Sequence, residues 1–373
     1  MTMVSAPWLP AHHERALYTA AHIDGCIARL SAITHDYLAA DPLQLASTYS
    51  DGMEHLVLTG VDPLPEAVPR LFADALNNAR NLIEHALYAE VGDRLSRELT
   101  DLESKAVEIP ATSSPESFET WTRHKNRKST GLFVAGGELA SRIERLQPYH
   151  RQDHTVHPLK LLVEYTNASK HREPVVSVVR LGRVDVDGQP RDPRASTHQD
   201  ITEIGSVIIS VPMGTQVGVN LWPQIMVRRP HTGELRTLMH ELGDIEEWVR
   251  AQALPILIAG RTDLPELPPA LDISVGYEST SAAWGNAGTV PARTRATLRM
   301  MGAGLRRDML EMLVDQNGEH TRDLFVTWMD TFTEEEVVAM FVPLGLASAT
   351  NDLATVTSTL QAWADAAGVV PER

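Results

Sequence analysis

Residues Leu71 to Tyr88 constrain the fold more than any other stretch of this chain. Leu71, Ala75, Leu76, Ala79, Ile83, Ala86 and Leu87 recur at three- and four-residue intervals, the spacing of one face of an α-helix. A helix with one apolar face must bury that face, so the segment demands helical partners. Candidates are at hand. His12 to Leu38 carries Leu17, Ala20, Ile23, Ile27, Leu30 and Ile33 at the same spacing. Helices are also expected over Glu116 to Lys128, Glu138 to Leu146, His157 to about Lys170, and Glu234 to Ile258. Pro63, Pro65 and Pro69 lead into the central helix, expected over Glu66 to Val91. Proline in a first helical turn costs little, because the missing N–H has no partner there anyway.

Strand signals interrupt the helices. Leu43 to Tyr49 and Met53 to Thr59, joined by Ser50-Asp51-Gly52, predict a hairpin. Val175 to Val184, Ile201 to Val211 and Gln216 to Arg228 are rich in valine and isoleucine and read as strands of an antiparallel sheet. Residues Arg261 to Pro291 are mixed, with one or two short strands expected around Leu271 to Tyr277. Pro291 to Gln316 and Ala349 to Ala366 read as helices, and Thr333-Glu334-Glu335-Glu336 is a capping box that opens another. The expected fold class is therefore α+β. A helical bundle over about residues 11–172, completed by Glu234 to Ile258, packs with a small antiparallel sheet and precedes a helical C-terminal region. The domain boundary falls in Asp263 to Pro269 or in the loop ending at Pro291. The first choice assigns the bundle with its inserted sheet to 1–262 and a mostly helical region to 263–373.

Composition excludes several classes. With 373 residues, 43% apolar and 22% charged, the chain is not disordered, collagen-like or a coiled-coil rod. A net charge of −16 argues against a protein that coats nucleic acid, so any such contact must use a local patch. A single cysteine, Cys26, rules out an internal disulfide, a cysteine-based zinc ribbon and an iron–sulfur cluster. No secretory leader is expected from Met1 to Pro10, and the apolar run Ala253 to Ala259 is too short to span a bilayer. A cytoplasmic location without membrane contact is the expectation.

Chemistry concentrates on the central helix. Asn77, Asn81 and His85 follow one another at four-residue intervals as a polar stripe, with Arg80 beside it and Glu84 next to His85. Asparagine is a poor helix former because its amide competes for backbone groups, so Asn77, Asn78 and Asn81 in one apolar helix need a reason. Arg80 has the reach to hold a phosphate placed over His85. A bare R-x4-H pair arises about once by chance in a chain of this composition; requiring Asn after Arg lowers that to roughly 0.03. A second instance, Arg145 to His150, contains Pro148 and cannot lie on one helix.

Arg80-Asn81-x-x-x-His85 resembles the R-N/H/D-x-x-x-H signature of HEPN-superfamily ribonucleases. Asp74 to His85, Gln147-Pro148-Tyr149 and Asn167-Ala168-Ser169-Lys170-His171-Arg172 together resemble a set of uncharacterised bacterial and phage proteins of HEPN-like character. The likeness covers about Leu64 to Arg172, weakens through to Trp248, and ends before Pro291. It implies metal-independent RNA cleavage to a 2′,3′-cyclic phosphate, with no cofactor, by Arg80, Asn81 and His85. It also implies a homodimer that pairs two such helices; across such an axis Glu84 of one chain could pair with Arg80 of the other. By analogy the setting is a bacterial toxin or anti-phage defence system with an antitoxin or defence partner protein. Histidine suits proton transfer near neutral pH and arginine suits phosphoryl charge. The same residues also fit a second reading, a structural polar network in a non-catalytic nucleotide-, RNA- or protein-binding module.

Asn77 and Glu84 are candidate substrate contacts beside the reacting groups. Lys170, His171 and Arg172 form a candidate phosphate-binding arm, although cations at a helix end also complement its dipole. Arg123, Lys125, Arg127 and Lys128, after Trp121, are the one dense basic cluster and the candidate RNA-backbone contact. No metal site is expected. His150, His154 and His157 lie in a loop between Pro148 and Pro158, and His240-Glu241 lacks the second histidine of H-E-x-x-H because Asp244 stands there. Neither a phosphate-binding P-loop nor a G-x-S-x-G motif occurs.

Overall fold

The computed structural model describes residues 8–95, 97–171, 177–186, 203–265, 267, 270–288, 290–350 and 352–369. Its contacts divide the chain into two compact units, Met1–Ala292 and Arg293–Arg373. The architecture is α+β, with antiparallel sheets in the first unit and helices alone among the described residues of the second.

After a 3-10 turn, Ala11–His13, the first unit opens with α1 (Glu14–Ala39), which buries Leu17, Ala20, Ile23, Ile27 and Leu30 as the spacing predicts. Strands β1 (Leu43–Ser50) and β2 (Met53–Val61) pair antiparallel with Ser50 opposite Met53. The turn between them has φ of 51° at Asp51 and 74° at Gly52. Two left-handed residues in a two-residue loop match the right-handed twist of the strands, which is why Asp-Gly serves there. Then comes α2 (Ala67–Arg94), running from 3 residues beyond the expected C-terminus back to Pro69 in its first turn. Four short helices follow: α3 (Asp101–Ser104), α4 (Pro115–Thr122), α5 (Lys125–Lys128) and α6 (Glu138–Glu144). The single helix expected over Glu116 to Lys128 is broken at Arg123-His124.

Helix α7 (Pro158–His171) packs against α2, with Phe72 and Tyr165 edge to face at 5.4 Å. Beyond it lie β3 (Ser177–Val186), β4 (Val207–Pro212), β5 (Val219–Arg228) and β6 (Leu235–Thr237). The valine-rich segments do not share one sheet. Strand β4 joins the hairpin in the order β1-β2-β4, while β3, β5 and β6 form a second antiparallel sheet. Pro223 sits in the central strand β5, opposite the register shift between Leu181 and Arg183; a bulge there accommodates the missing donor.

The helix expected over Glu234 to Ile258 is α8 (Leu238–Trp248), a π turn Val249–Ala253, and α9 (Leu254–Ala259). Leu254 N–H reaches back five residues to Val249 O, widening the helix just where Pro255 has no N–H to give. Residues 271–277 form turns rather than the short strands expected there, helix α10 (Thr280–Asn286) follows, and an isolated bridge between Ala270 and Gly288 is the only pairing described in this stretch. Central helix α2 touches α1, α7, α8 and α9 and buries Phe72, Leu76, Ile83 and Leu87 among them. Leu267, Leu271, Ala283, Trp284 and Ala292 belong to that same core, and Trp8 Nε1 donates to Pro265 O at 2.8 Å. Residues 263–292 therefore belong with the first unit, and the boundary lies at the later of the two candidate positions.

The second unit comprises α11 (Ala292–Asn317), α12 (Arg322–Met329), α13 (Glu334–Ala349) and α14 (Leu353–Ala366) around Leu313, Phe325, Leu344 and Leu360. Thr333 and Glu336 form the capping box the sequence signalled. A Cβ at Gly302 would come within 2.5 Å of Glu334, so only glycine lets α11 approach the start of α13 so closely. Among the described residues, no helix is long and apolar enough to cross a membrane.

Candidate functional site

On an α-helix, positions 77, 80 and 84 follow one ridge and 81 and 85 the next. The polar stripe of α2 accordingly divides in two. Asn77, Arg80 and Glu84 are half-buried, whereas Asn81 and His85 are exposed, and among the described residues nothing bonds their side chains. Arg80 pairs with Glu84 of its own chain at 3.3 Å, and Glu84 Oε2 accepts the Ile109 N–H at 2.9 Å. Burial pushes the Glu84 carboxyl above the usual range, although the Ile109 N–H and Arg80 pull it down. Glu84 is thus an anchor between α2 and the 106–109 segment rather than a free substrate contact. Among the described residues, Arg80 Nη1 and Asn77 Oδ1 are buried without hydrogen-bond partners.

Asn77 Nδ2 makes a long contact, 3.5 Å, with Ser169 Oγ. That contact seats the last turn of α7 beside the turn of α2 carrying Asn77 and Arg80. Lys170 and His171 belong to this same helical turn, and Arg172 lies outside the described residues. Gln147, the first residue of Q-P-Y, is wholly buried. Its Oε1 accepts from Thr112 N and Oγ1 at 3.0 and 2.9 Å, and its Nε2 donates to Ile143 O at 3.0 Å. It clamps two loops together.

The basic run behaves unevenly. Arg127 is buried: Nε donates to Ala106 O at 2.7 Å, Nη1 to Trp121 O at 3.2 Å and Nη2 to Glu108 at 2.7 Å, with the guanidinium 4.5 Å over the Trp121 ring. Contrary to expectation its side chain is buried and all three guanidinium nitrogens donate within the fold. Arg123 is exposed and paired with Glu119; Lys125 and Lys128 are exposed. Because Arg127 holds Ala106 and Glu108 while Ile109 bonds Glu84, the run attaches to α2 through the 106–109 segment.

Two histidines of the 150–157 loop are bonded within the fold. His150 Nε2 lies 2.9 Å from Glu144 O. His157 is buried edge-on to Trp248 and its Nδ1 accepts the Leu159 N–H at 3.1 Å. Glu241, from the incomplete H-E-x-x-H, is buried in a bidentate pair with Arg229 at 2.7 and 2.8 Å and accepts the Tyr165 hydroxyl at 3.1 Å. This pair floors a polar cleft of about 470 Å³, with Arg151, Arg236, Asp244 and Trp248 in its walls. No spacing along the chain announces it, because its walls come from the 148–158 loops, the β5–β6 turn and α8, which only tertiary packing brings together. A second cavity of about 520 Å³ lies over the first sheet between Glu54 and Val219. Arg80, Asn81 and His85 line neither cavity. The exposed helix face of Asn81 and His85, with half-buried Arg80 at its edge, suits an extended polymer or a second protein surface better than an enclosed small molecule.

No family model matches the chain, and comparisons with the curated proteins and the solved structures return no match.

Proposed function

We propose that this protein is a metal-independent endoribonuclease of HEPN type that works as a homodimer, with α2 of each chain facing its mate across a two-fold axis. One observation carries the reading. An exposed imidazole with no bond, and a half-buried arginine whose Nη1 has no partner, both among the described residues, share one helix about 7.5 Å apart along its axis. One imidazole takes the proton of the RNA 2′-hydroxyl, whose oxygen attacks the adjacent phosphorus. The second imidazole, from the other chain, protonates the departing 5′-oxygen, leaving a 2′,3′-cyclic phosphate and a 5′-hydroxyl. Arg80 bears the charge on the phosphoryl oxygens. Its pairing with Glu84 engages Nη2 and leaves Nη1 without a partner among the described residues. Asn81 orients the imidazole or the phosphate, and the turn of α7 bearing Lys170 and His171 supports the backbone beyond.

A second reading is favoured by the Arg80–Glu84–Ile109 link, which ties helix to loop as a purely structural network does. In that case the chain is a binding module without turnover. Incubation with total RNA in EDTA separates the two. Cleavage that leaves cyclic phosphate ends, and is abolished in His85→Ala without a change in Tm, supports the nuclease. Cleavage that requires a divalent ion, or none at all from a protein that light scattering shows to be monomeric with and without RNA, removes it.

A further inference from the structure

The two histidines before α1 carry a second, separate inference. His12 and His13 end the 3-10 turn and converge on Glu90, near the C-terminus of α2. His13 Nε2 lies 2.9 Å from Glu90 Oε1, and His12 Nε2 lies 3.6 Å from the same oxygen. The other carboxylate oxygen, Oε2, is held by Arg94 at 2.9 Å and approached by Arg142 at 3.4 Å. Two guanidiniums thus already balance this carboxylate from one side. Charge balance does not require two imidazoles to crowd its other oxygen with ring centres 4.4 Å apart. The 2.9 Å approach of His13 is also a hydrogen bond, and a shared cation accounts for the convergence of both rings.

We propose that His12, His13 and Glu90 bind one Zn²⁺ ion. Two imidazoles and a carboxylate are a common three-ligand set for zinc, with a fourth position left to water. Tetrahedral ligands 2.0–2.1 Å from the metal stand about 3.3 Å apart. The separations of 2.9 and 3.6 Å bracket that value, and the three ligand atoms all lie within 4.8 Å of one another. His12 has a further mark of a ligand. Its Nδ1 faces Asp93 Oδ1 at 3.5 Å while Nε2 faces Glu90, so a carboxylate stands ready to fix the ring's tautomer and orientation. Glu138 bridges Arg94 and Arg142. Glu90, Asp93 and Glu138 against two arginines leave one net negative charge for the ion. His13 is almost fully buried and His12 is 31% exposed, so the open position and the entry path lie on the His12 side.

The ion would staple the N-terminal turn to the last turns of α2. Glu90 follows His85 by five residues and lies about 140° round the helix from it, so the metal takes no part in the proposed cleavage. The test needs no RNA and stands or falls apart from the nuclease. The full chain is stripped with EDTA, dialysed and titrated with ZnCl2 by calorimetry. The expected result is one zinc per chain with Kd below about 1 μM and a higher Tm in zinc than in EDTA. Substituting CoCl2 should give the intense visible absorption of a tetrahedral site. His12→Ala, partly exposed and tolerable to the fold, and His13→Gln should each weaken binding at least about tenfold. Absence of saturable binding up to about 100 μM zinc, or undiminished binding in folded His12→Ala, overturns the proposal.

Discussion

At the scale of single residues, similar side chains do unlike work because burial differs. Arg80 and Arg127 both stand out in the sequence as candidate phosphate contacts. Arg127 spends its guanidinium on Ala106 O, Trp121 O and Glu108, while Arg80 keeps a terminal nitrogen unpartnered among the described residues. His157 shows the same principle with a pH consequence. Burial, with Arg151 and His150 adding to it, pushes its pKa down to about 4. An unfolded histidine titrates near 6.5, so between these values the unfolded chain binds the proton first. Stability is therefore full above about pH 6.5 and falls as the pH drops towards 4, by about 3 kcal/mol in all. Urea melts from pH 7 to 4 should show that slope, flattened in His157→Gln. An equal slope in the variant would assign it to other groups. The basic cluster was legible as a cluster. Which of its members faces outward was not, because that depends on the 106–109 segment arriving beside it.

At the scale of elements, α2 was the most legible part of the chain. Its bounds, its apolar face and its polar stripe all follow from three- and four-residue spacing, and burial of Phe72, Leu76, Ile83 and Leu87 matches the face. The stripe carries a testable conflict between stability and function. Asn81 is exposed and unbonded among the described residues, and asparagine is a weaker helix former than alanine by several tenths of a kcal/mol. Asn81→Ala should therefore raise the urea midpoint slightly while lowering RNA cleavage at least tenfold. A variant that gains stability and keeps full cleavage would take Asn81 out of the site. The hairpin was equally legible, since Asp51-Gly52 specifies its own turn. Strand partners were not. Nothing local says that β4 pairs with β2 and β5 with β3, because ladders form between segments whose order in a sheet is settled by packing.

At the scale of the whole molecule, each of the two compact units has buried clusters of its own and folds as a unit. Leu313, Phe325, Leu344 and Leu360 make a cluster of their own, distinct from the large core around α2. A chain ending at Ala292 should keep the first unit folded, with a cooperative thermal transition and near-native helix content for that length. One ending at residue 262 should not, since it loses Leu267, Ala283 and Trp284 from the core and exposes their neighbours. Matching melts for the two shortened chains would overturn the placement of the boundary at Ala292.

By itself the sequence determined what is periodic and local: the helices α1, α2, α7 and α11, the hairpin turn, the capping box at Thr333 and the α+β class. These depend on interactions within a few residues, which the chain spells out. Tertiary structure decided the rest. It divided the strands between two sheets and drew residues 263–292 into the first core. It turned Arg127 inward and Glu84 toward Ile109, and it brought His12 and His13 to Glu90 across 77 residues of chain. Such contacts form only where buried apolar surface fixes the approach of distant segments, and no spacing along the chain records them.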